Sequence, residues 1–175
     1  MDNIHTERLH LRRFREDDVE NILSIVSDPV AMRHYPQTYD RDGAQRWLDG
    51  FLRGYERFGY SLLAVERSSD GAFVGSVGLL HWDDVDGRED IEVAYLLRRS
   101  MWGNGYASEA ARACRDWAFK HIARDRVVSF IAVANEPSIA VARRNGMTQT
   151  KRLDINRFGI PIYVYAISRA GWERR

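Results

Sequence analysis

Hydrophobic and polar residues alternate along some stretches of the chain and recur at helical spacing along others. Residues 8–14 read Arg-Leu-His-Leu-Arg-Arg-Phe, which puts Leu9 and Leu11 on one side of a half-buried opening strand. Val19, Ile22, Leu23 and Val26 then recur at helical spacing behind Asp17-Asp18, and Pro29 stops that helix. Past a loop around Pro36, Trp47, Leu48, Phe51, Leu52, Tyr55 and Phe58 fall near one face of a second helix, over 43–58. Three short apolar runs follow, at 60–66, 73–82 and 91–97, separated by Ser-Ser-Asp-Gly and Asp-Asp-Val-Asp-Gly. Turns this short join antiparallel neighbours, so the runs predict a three-stranded meander. The period then changes. Ala107, Ala110, Ala111, Cys114, Trp117, Ala118 and His121 mark a helix over 106–121, and Val-Val-Ser-Phe-Ile-Ala-Val at 127–133 marks a buried strand. Strand, helix and strand in that order give a parallel pair with a right-handed crossover. A helix over 137–144, closed by Asn145-Gly146, and strands around Leu153 and at 161–168 complete the chain. The fold class is α+β: a mostly antiparallel central sheet with one parallel pair near its middle, flanked by helices.

Composition narrows the function. At 175 residues the chain, 1–175, is read as a single domain with a sizeable core. With 26 Lys+Arg against 25 Asp+Glu, the net charge of +1 offers no broad positive field to a nucleic acid. Cys114 is the one cysteine, and nothing has the spacing of zinc ligands, so no metal is expected. No apolar run reaches the ~20 residues of a membrane span, and the acidic residues near the N-terminus do not suit a signal peptide; a soluble cytoplasmic protein is expected, without membrane or nucleic-acid partners.

The chemistry concentrates at 102–110, Trp-Gly-Asn-Gly-Tyr-Ala-Ser-Glu-Ala, between the end of the third meander strand and the next helix. Gly103 and Gly105 allow a tight turn and a close ligand approach, and the first amides of the helix lack internal partners. Such a turn suits a phosphate or pyrophosphate, while the lysine of a Walker loop is missing.

From this loop outward the chain resembles the GCN5-related N-acetyltransferases, and within them the ribosomal-protein and N-terminal alanine acetyltransferase branch. The resemblance lies in Thr-Glu-Arg-Leu-His-Leu-Arg at 6–12, Glu-Val-Ala-Tyr-Leu-Leu at 92–97 with Trp-Gly-Asn-Gly-Tyr-Ala at 102–107, Asn-Glu-Pro-Ser-Ile at 135–139 with Arg-Arg-Asn-Gly-Met at 143–147, and Tyr-Val-Tyr-Ala-Ile-Ser at 163–168 with Trp172. The wider superfamily has Gln or Arg in place of Trp102, and commonly Gly in place of Ala94. The resemblance implies an acetyl-CoA cofactor whose pyrophosphate is held by the loop residues Trp102, Gly103, Asn104, Gly105, Tyr106, Ala107 and Ser108. It implies that the backbone at Leu96, Leu97 and Arg98 pairs with the pantetheine arm where the parallel strands splay, with Asn135 and Ser138 near the sulfur. It further implies direct attack of an amine on the thioester, the acceptor being a protein N-terminus or a small amine, and by analogy a homodimer.

Such a reaction needs a base, an oxyanion donor and an acid. Glu92, in the cofactor-bearing strand, is the candidate base, unless it is a solvent-facing or ion-paired strand residue. Ser138 is the candidate acid, although Asn-Glu-Pro-Ser is equally a helix start. The oxyanion donor would be a strand amide near Leu96 or Leu97. His81 is a second possible base or acceptor contact, or else a paired surface residue. Tyr163 and Tyr165 are read as packing before acids, and Cys114 as a buried small hydrophobe. Trp47, Phe51 and Tyr55 either border the acceptor groove or belong to the core. The acidic run Asp83, Asp84, Asp86, Glu89 and Asp90 is a solvated turn or a lure for cationic amines. Two other functions fit parts of the pattern. Gly-Asn-Gly-Tyr-Ala-Ser approximates a dinucleotide fingerprint, which would make a nicotinamide-dependent oxidoreductase, but the acidic residue and further β-α units of that fold are missing. A non-catalytic CoA-binding regulatory domain would keep the loop without an acceptor.

Overall fold

A computed structural model describes residues 1–154 and 159–174. In chain order the elements are β1 (Ile4–His5), β2 (Leu9–Arg13), α1 (Val19–Val26), α2 (Arg41–Phe58), β3 (Leu62–Arg67), β4 (Phe73–Trp82), β5 (Asp90–Leu97), α3 (Tyr106–His121), β6 (Arg126–Ala132), α4 (Glu136–Arg144), β7 (Thr148–Leu153), β8 (Ile162–Ser168) and α5 (Arg169–Glu173). Among the described residues the strands form one sheet in the order β1-β2-β3-β4-β5-β6-β8-β7. Only β5 and β6 run parallel, and every other neighbouring pair is antiparallel. The meander and the parallel pair are therefore as the pattern predicts. β1 and α5 are additions to it, too short to show a period.

Each face of the sheet buries its own apolar cluster. Ile91, Val93 and Leu97 of β5 pack with Ala110, Ala111, Cys114 and Ala118 of α3 and Ile139 and Ala142 of α4. On the other face Ala44, Leu48 and Phe51 of α2 and Ile22, Ile25 and Val26 of α1 pack on Leu62, Ala64 and Phe73, with Leu80, Ala94 and Leu96 at the margin. A third cluster joins Val128 to Leu153, Ile162, Val164, Ala166 and Val85, with Trp82 and Phe130 against it.

Local chemistry fixes the ends of the helices. The Asp40 carboxylate accepts from Gly43 N–H at 2.9 Å to start α2, and Gly59, at φ 77°, ends it in the left-handed region. Asn135 starts α4 by accepting from Ser138 N–H at 3.3 Å, and Ser168 starts α5 by accepting from Gly171 N–H at 3.1 Å. α3 is closed at its C-terminal end by Arg169, whose guanidinium donates to the carbonyls of Phe119 (2.7 Å), Ile122 (2.9 Å) and Arg124 (3.2 Å). Its N-terminal end has no side-chain cap.

Candidate active site

β5 and β6 share a single paired register, Glu92 with Val128, after which they separate. Ser129 reaches over to donate its hydroxyl to Val93 O at 2.7 Å, and the ladder then gives way to the Glu92 side chain. Its Oε1 accepts from Phe130 N–H of β6 at 3.1 Å, and its Oε2 accepts from Trp82 Nε1 of β4 at 2.7 Å. The carboxylate thus sits at the vertex of the splay and satisfies an amide that a continued ladder would have paired. Glu92 lies in register between Leu80 and Val128, so two apolar clusters meet at it, and it is only 7% exposed. Burial is the main influence on its acidity. It outweighs the two hydrogen bonds and pushes the carboxyl up to about 7, where a base can be neutral or charged at physiological pH. Burial, with the Glu92 charge as a lesser cause, also raises the hydroxyl pKa of Tyr95, which places that phenol within its electrostatic reach.

Strand alternation decides which backbone groups of β5 face the opening. A residue's N–H and C=O point to the same side of a strand, and successive residues point to opposite sides. Val93 O faces β6, as its bond from Ser129 shows, whereas Arg98 N–H bonds Val74 O of β4 at 3.0 Å. The backbones of Leu96 and Arg98 therefore turn toward β4, and those of Tyr95 and Leu97 toward the splay. Of Leu96, Leu97 and Arg98, expected to pair with a ligand arm, only Leu97 has its backbone on the splay side, where Tyr95 joins it, because the choice depends on register. The Leu97 carbonyl already accepts from Trp102 Nε1 at 3.0 Å, which ties the loop to the strand end.

In the loop, Gly103 and Gly105 both have φ of 80°, a conformation that a β-carbon disfavours. Glu109 N–H is the first amide of α3 to meet a helical carbonyl, that of Gly105 at 3.1 Å. The preceding amides at Tyr106, Ala107 and Ser108 occupy the first turn of a helix whose cap residue is glycine, so the positive end of the dipole is left uncovered. Ser108 Oγ is buried without a partner. Asn104 folds its side-chain amide back onto the carbonyls of Met101 (3.2 Å) and Trp102 (3.0 Å). These features fit an anionic cofactor group held by backbone donors.

At the other wall of the splay, Asn135 is occupied as the cap of α4, and Ser138 is half-buried one turn in. Tyr95 donates its hydroxyl to Ser138 O at 2.8 Å, so β5 and α4 are tied to each other near the mouth of the opening. Sequence reading overlooked Tyr95 and Trp82, whose apolar runs marked them only as strand residues.

Other expected residues lie elsewhere. His81 pairs in register with Ile91, hence on the sheet face opposite Glu92. There its largely buried ring stacks on Phe58 at 4.2 Å and bonds Tyr60 Oη and Asp83 Oδ1, each at 3.1 Å. Tyr55 is core: its hydroxyl accepts from Phe14 N–H at 3.0 Å and donates to Leu62 O. Phe51 is buried against Phe14 at 5.4 Å. Only Trp47 of the three is half-exposed, in an aromatic group with Tyr35 and Tyr39 on the same sheet face as Glu92. Most of the acidic run is engaged by later residues. Asp83 pairs with His81, Asp86 with Lys151, Glu89 with Arg124, and Asp90 with Arg126, while Asp84 accepts from Gly87 N–H. Cys114 is fully buried, and burial pushes its thiol up to about 12. Tyr163 and Tyr165 make an edge-on pair in β8. Among the described residues no cluster of potential ligands could hold a metal, and no helix is long and apolar enough to cross a membrane.

Comparison with known proteins identifies the family to which this splayed sheet belongs. The family model for the acetyltransferase (GNAT) domain covers residues 8–148. The chain belongs to this acetyltransferase family. It is 32% identical over 161 residues to the uncharacterized protein YkkB of Bacillus subtilis, covering 91% of this chain and 92% of that protein. An acetyltransferase structure from Agrobacterium tumefaciens matches with a TM-score of 0.81 at 28% identity, over 95% of this chain and 94% of that one. RimL, a ribosomal L7/L12 α-N-protein acetyltransferase solved with coenzyme A, has the same fold, with a TM-score of 0.75 at 20% identity over 95% and 98% of the two chains. The protein is accordingly an acetyl-CoA-dependent acyltransferase. The oxidoreductase alternative is set aside by the same match and by a mostly antiparallel sheet.

Proposed function

We propose that this acetyltransferase moves an acetyl group to a primary amine by direct attack in a ternary complex, acting in the cytoplasm on a protein N-terminus or a small amine with an apolar body. The observation that carries the reading is Glu92, a buried carboxylate at the vertex of the splay with its pKa pushed up to about 7. Acetyl-CoA, when bound, supplies the thioester carbonyl and the thiol leaving group. The uncovered amides of Tyr106, Ala107 and Ser108 and the turn of Gly103 and Gly105 hold its pyrophosphate. The splay-facing backbone of Tyr95 and Leu97 orients the arm, and a strand amide there serves as the oxyanion donor. Glu92 Oε2 or Oε1 takes the proton of the incoming ammonium, and the donors Trp82 Nε1 and Phe130 N–H keep the carboxylate in place between steps. The Ser138 hydroxyl returns a proton to the leaving sulfur. Trp47 and Tyr35 from one side and Trp82 and Phe130 from the other give the groove aromatic walls. These aromatic walls favour an acceptor of apolar character over a polycation.

Thiol release from acetyl-CoA, measured with peptides of varied N-terminal residue, arylalkylamines and spermidine, tests this. Turnover with the first two classes is expected, with the rate reduced about a hundredfold or more in Glu92→Gln, the usual size of a general-base contribution. Tight CoA binding with no release to any amine would instead establish a non-catalytic CoA-binding domain. A preference for spermidine would overturn the groove assignment.

A further inference from the structure

The first turn of α3 contains a contradiction. It is the proposed seat of a pyrophosphate, yet Glu109 places a carboxylate within it. That charge suits the helix dipole in isolation and would repel an anionic ligand. The structure resolves the conflict through an arm of the chain 101 residues away in sequence. Glu109 Oε1 accepts from Thr6 Oγ1 at 2.6 Å and Arg8 N–H at 2.9 Å, and its Oε2 accepts from Arg8 Nε at 2.7 Å and Nη2 at 2.6 Å. Burial opposes ionisation of Glu109, but these bonds win and its pKa is lowered. The remaining nitrogen of the fork, Arg8 Nη1, donates to Asn104 O at 3.0 Å, between the two glycines. A trans peptide directs its C=O and the following N–H to opposite sides. Pulling the Asn104 carbonyl toward Arg8 therefore aims the Gly105 N–H away from Arg8. The guanidinium is held over the Tyr106 ring, 4.9 Å from its centroid, which fixes the fork in this orientation.

We propose that Arg8 is a positioning residue for the cofactor loop, neutralising Glu109 and turning the Asn104 carbonyl aside so that the start of α3 presents donors to the pyrophosphate. This rests on the proposed role of the loop. Arg8 itself touches no reacting atom. Its contribution is to cofactor affinity, and specifically to the phosphate-bearing part of the cofactor.

Calorimetric titration of the full chain with CoA and with pantetheine, which lacks the pyrophosphate, separates the possibilities. Arg8→Ala should weaken CoA binding about tenfold, within the range of a charge at a helix terminus, and leave pantetheine binding unchanged. It should raise the KM for acetyl-CoA with little change in kcat. Adding Glu109→Gln to Arg8→Ala should recover most of the lost CoA affinity, because the repelling charge is gone; a purely structural brace would not be restored by losing its second half. Should Arg8→Ala fail to fold, Glu109→Gln alone must bind CoA at least as tightly as wild type. Unchanged CoA affinity in Arg8→Ala, an equal loss for pantetheine, or no recovery in the double variant overturns the proposal. If wild type binds CoA no better than pantetheine, the loop does not hold the phosphates, and the underlying site assignment fails along with it.

Discussion

Replacing Glu92 with Gln tests whether the buried carboxylate has the acidity its surroundings dictate. An ordinary carboxyl near 4.5 is pushed up to about 7 in the folded chain, so between those values the folded state holds a proton that the unfolded state has released. Stability contributed by this group is fully present below the unfolded pKa and is lost as pH rises through the folded one. The shift corresponds to about 3 kcal/mol, most of which is lost between about pH 5 and pH 8. Glutamine does not titrate. It also offers only one oxygen to the two donors, Trp82 Nε1 and Phe130 N–H, so it leaves one of them poorly satisfied at a cost of about 1–3 kcal/mol. That cost is independent of pH. The variant should therefore melt below wild type near pH 5 and close the gap, or cross it, near pH 8. At about 2–4 °C per kcal/mol the difference between the two melting temperatures should swing by roughly 5–10 °C across that range. Thermal melts of both proteins in matched buffers measure it, and other titrating groups cancel in the difference. A difference that stays flat with pH would refute the elevated pKa and remove the main support for Glu92 as the base.

Further substitutions probe the neighbourhood. Trp82→Phe keeps a ring against Phe130 but removes the donor to Glu92, so the acid limb of the kcat/KM profile should move to higher pH; an unmoved limb would mean that the indole does not tune the carboxylate. Tyr55→Phe removes a buried hydroxyl bonded to Phe14 and Leu62 and should cost about 1–3 kcal/mol in denaturant unfolding, while the KM for the amine stays put, since the side chain belongs to the core and not to the groove. Gly75→Ala would place a β-carbon 2.6 Å from Leu96 O and 2.7 Å from the Leu97 Cα, pushing the end of β5 outward; acetyl-CoA KM should rise along with a loss of stability.

Much of this arrangement is visible in the linear sequence because it rests on period. The helix over 106–121 and the meander announce themselves through spacing and turn residues, and the glycine pair announces the loop. What stays hidden depends on register and on distant partners. Whether Leu96 or Tyr95 faces the splay is a matter of one residue's shift, and the shift is set by pairing with β4. His81 falls on the far face for the same reason. The acidic run looks uncompensated in sequence because Arg124, Arg126 and Lys151 come from later elements. Arg8 reads as one more polar residue of an alternating strand until Glu109 is seen beside it.

The single register shared by β5 and β6 divides the sheet mechanically. Strands β1 to β5 form one antiparallel plate, and β6, β8 and β7 form another, joined at a seam whose ladder is one residue pair long. Glu92 spans that seam, holding Trp82 on one plate and Phe130 on the other. The carboxylate is thus also a strut. Backbone amides flanking the seam, that of Phe130 among them, are the ones whose hydrogen exchange is expected to respond first when that charge changes.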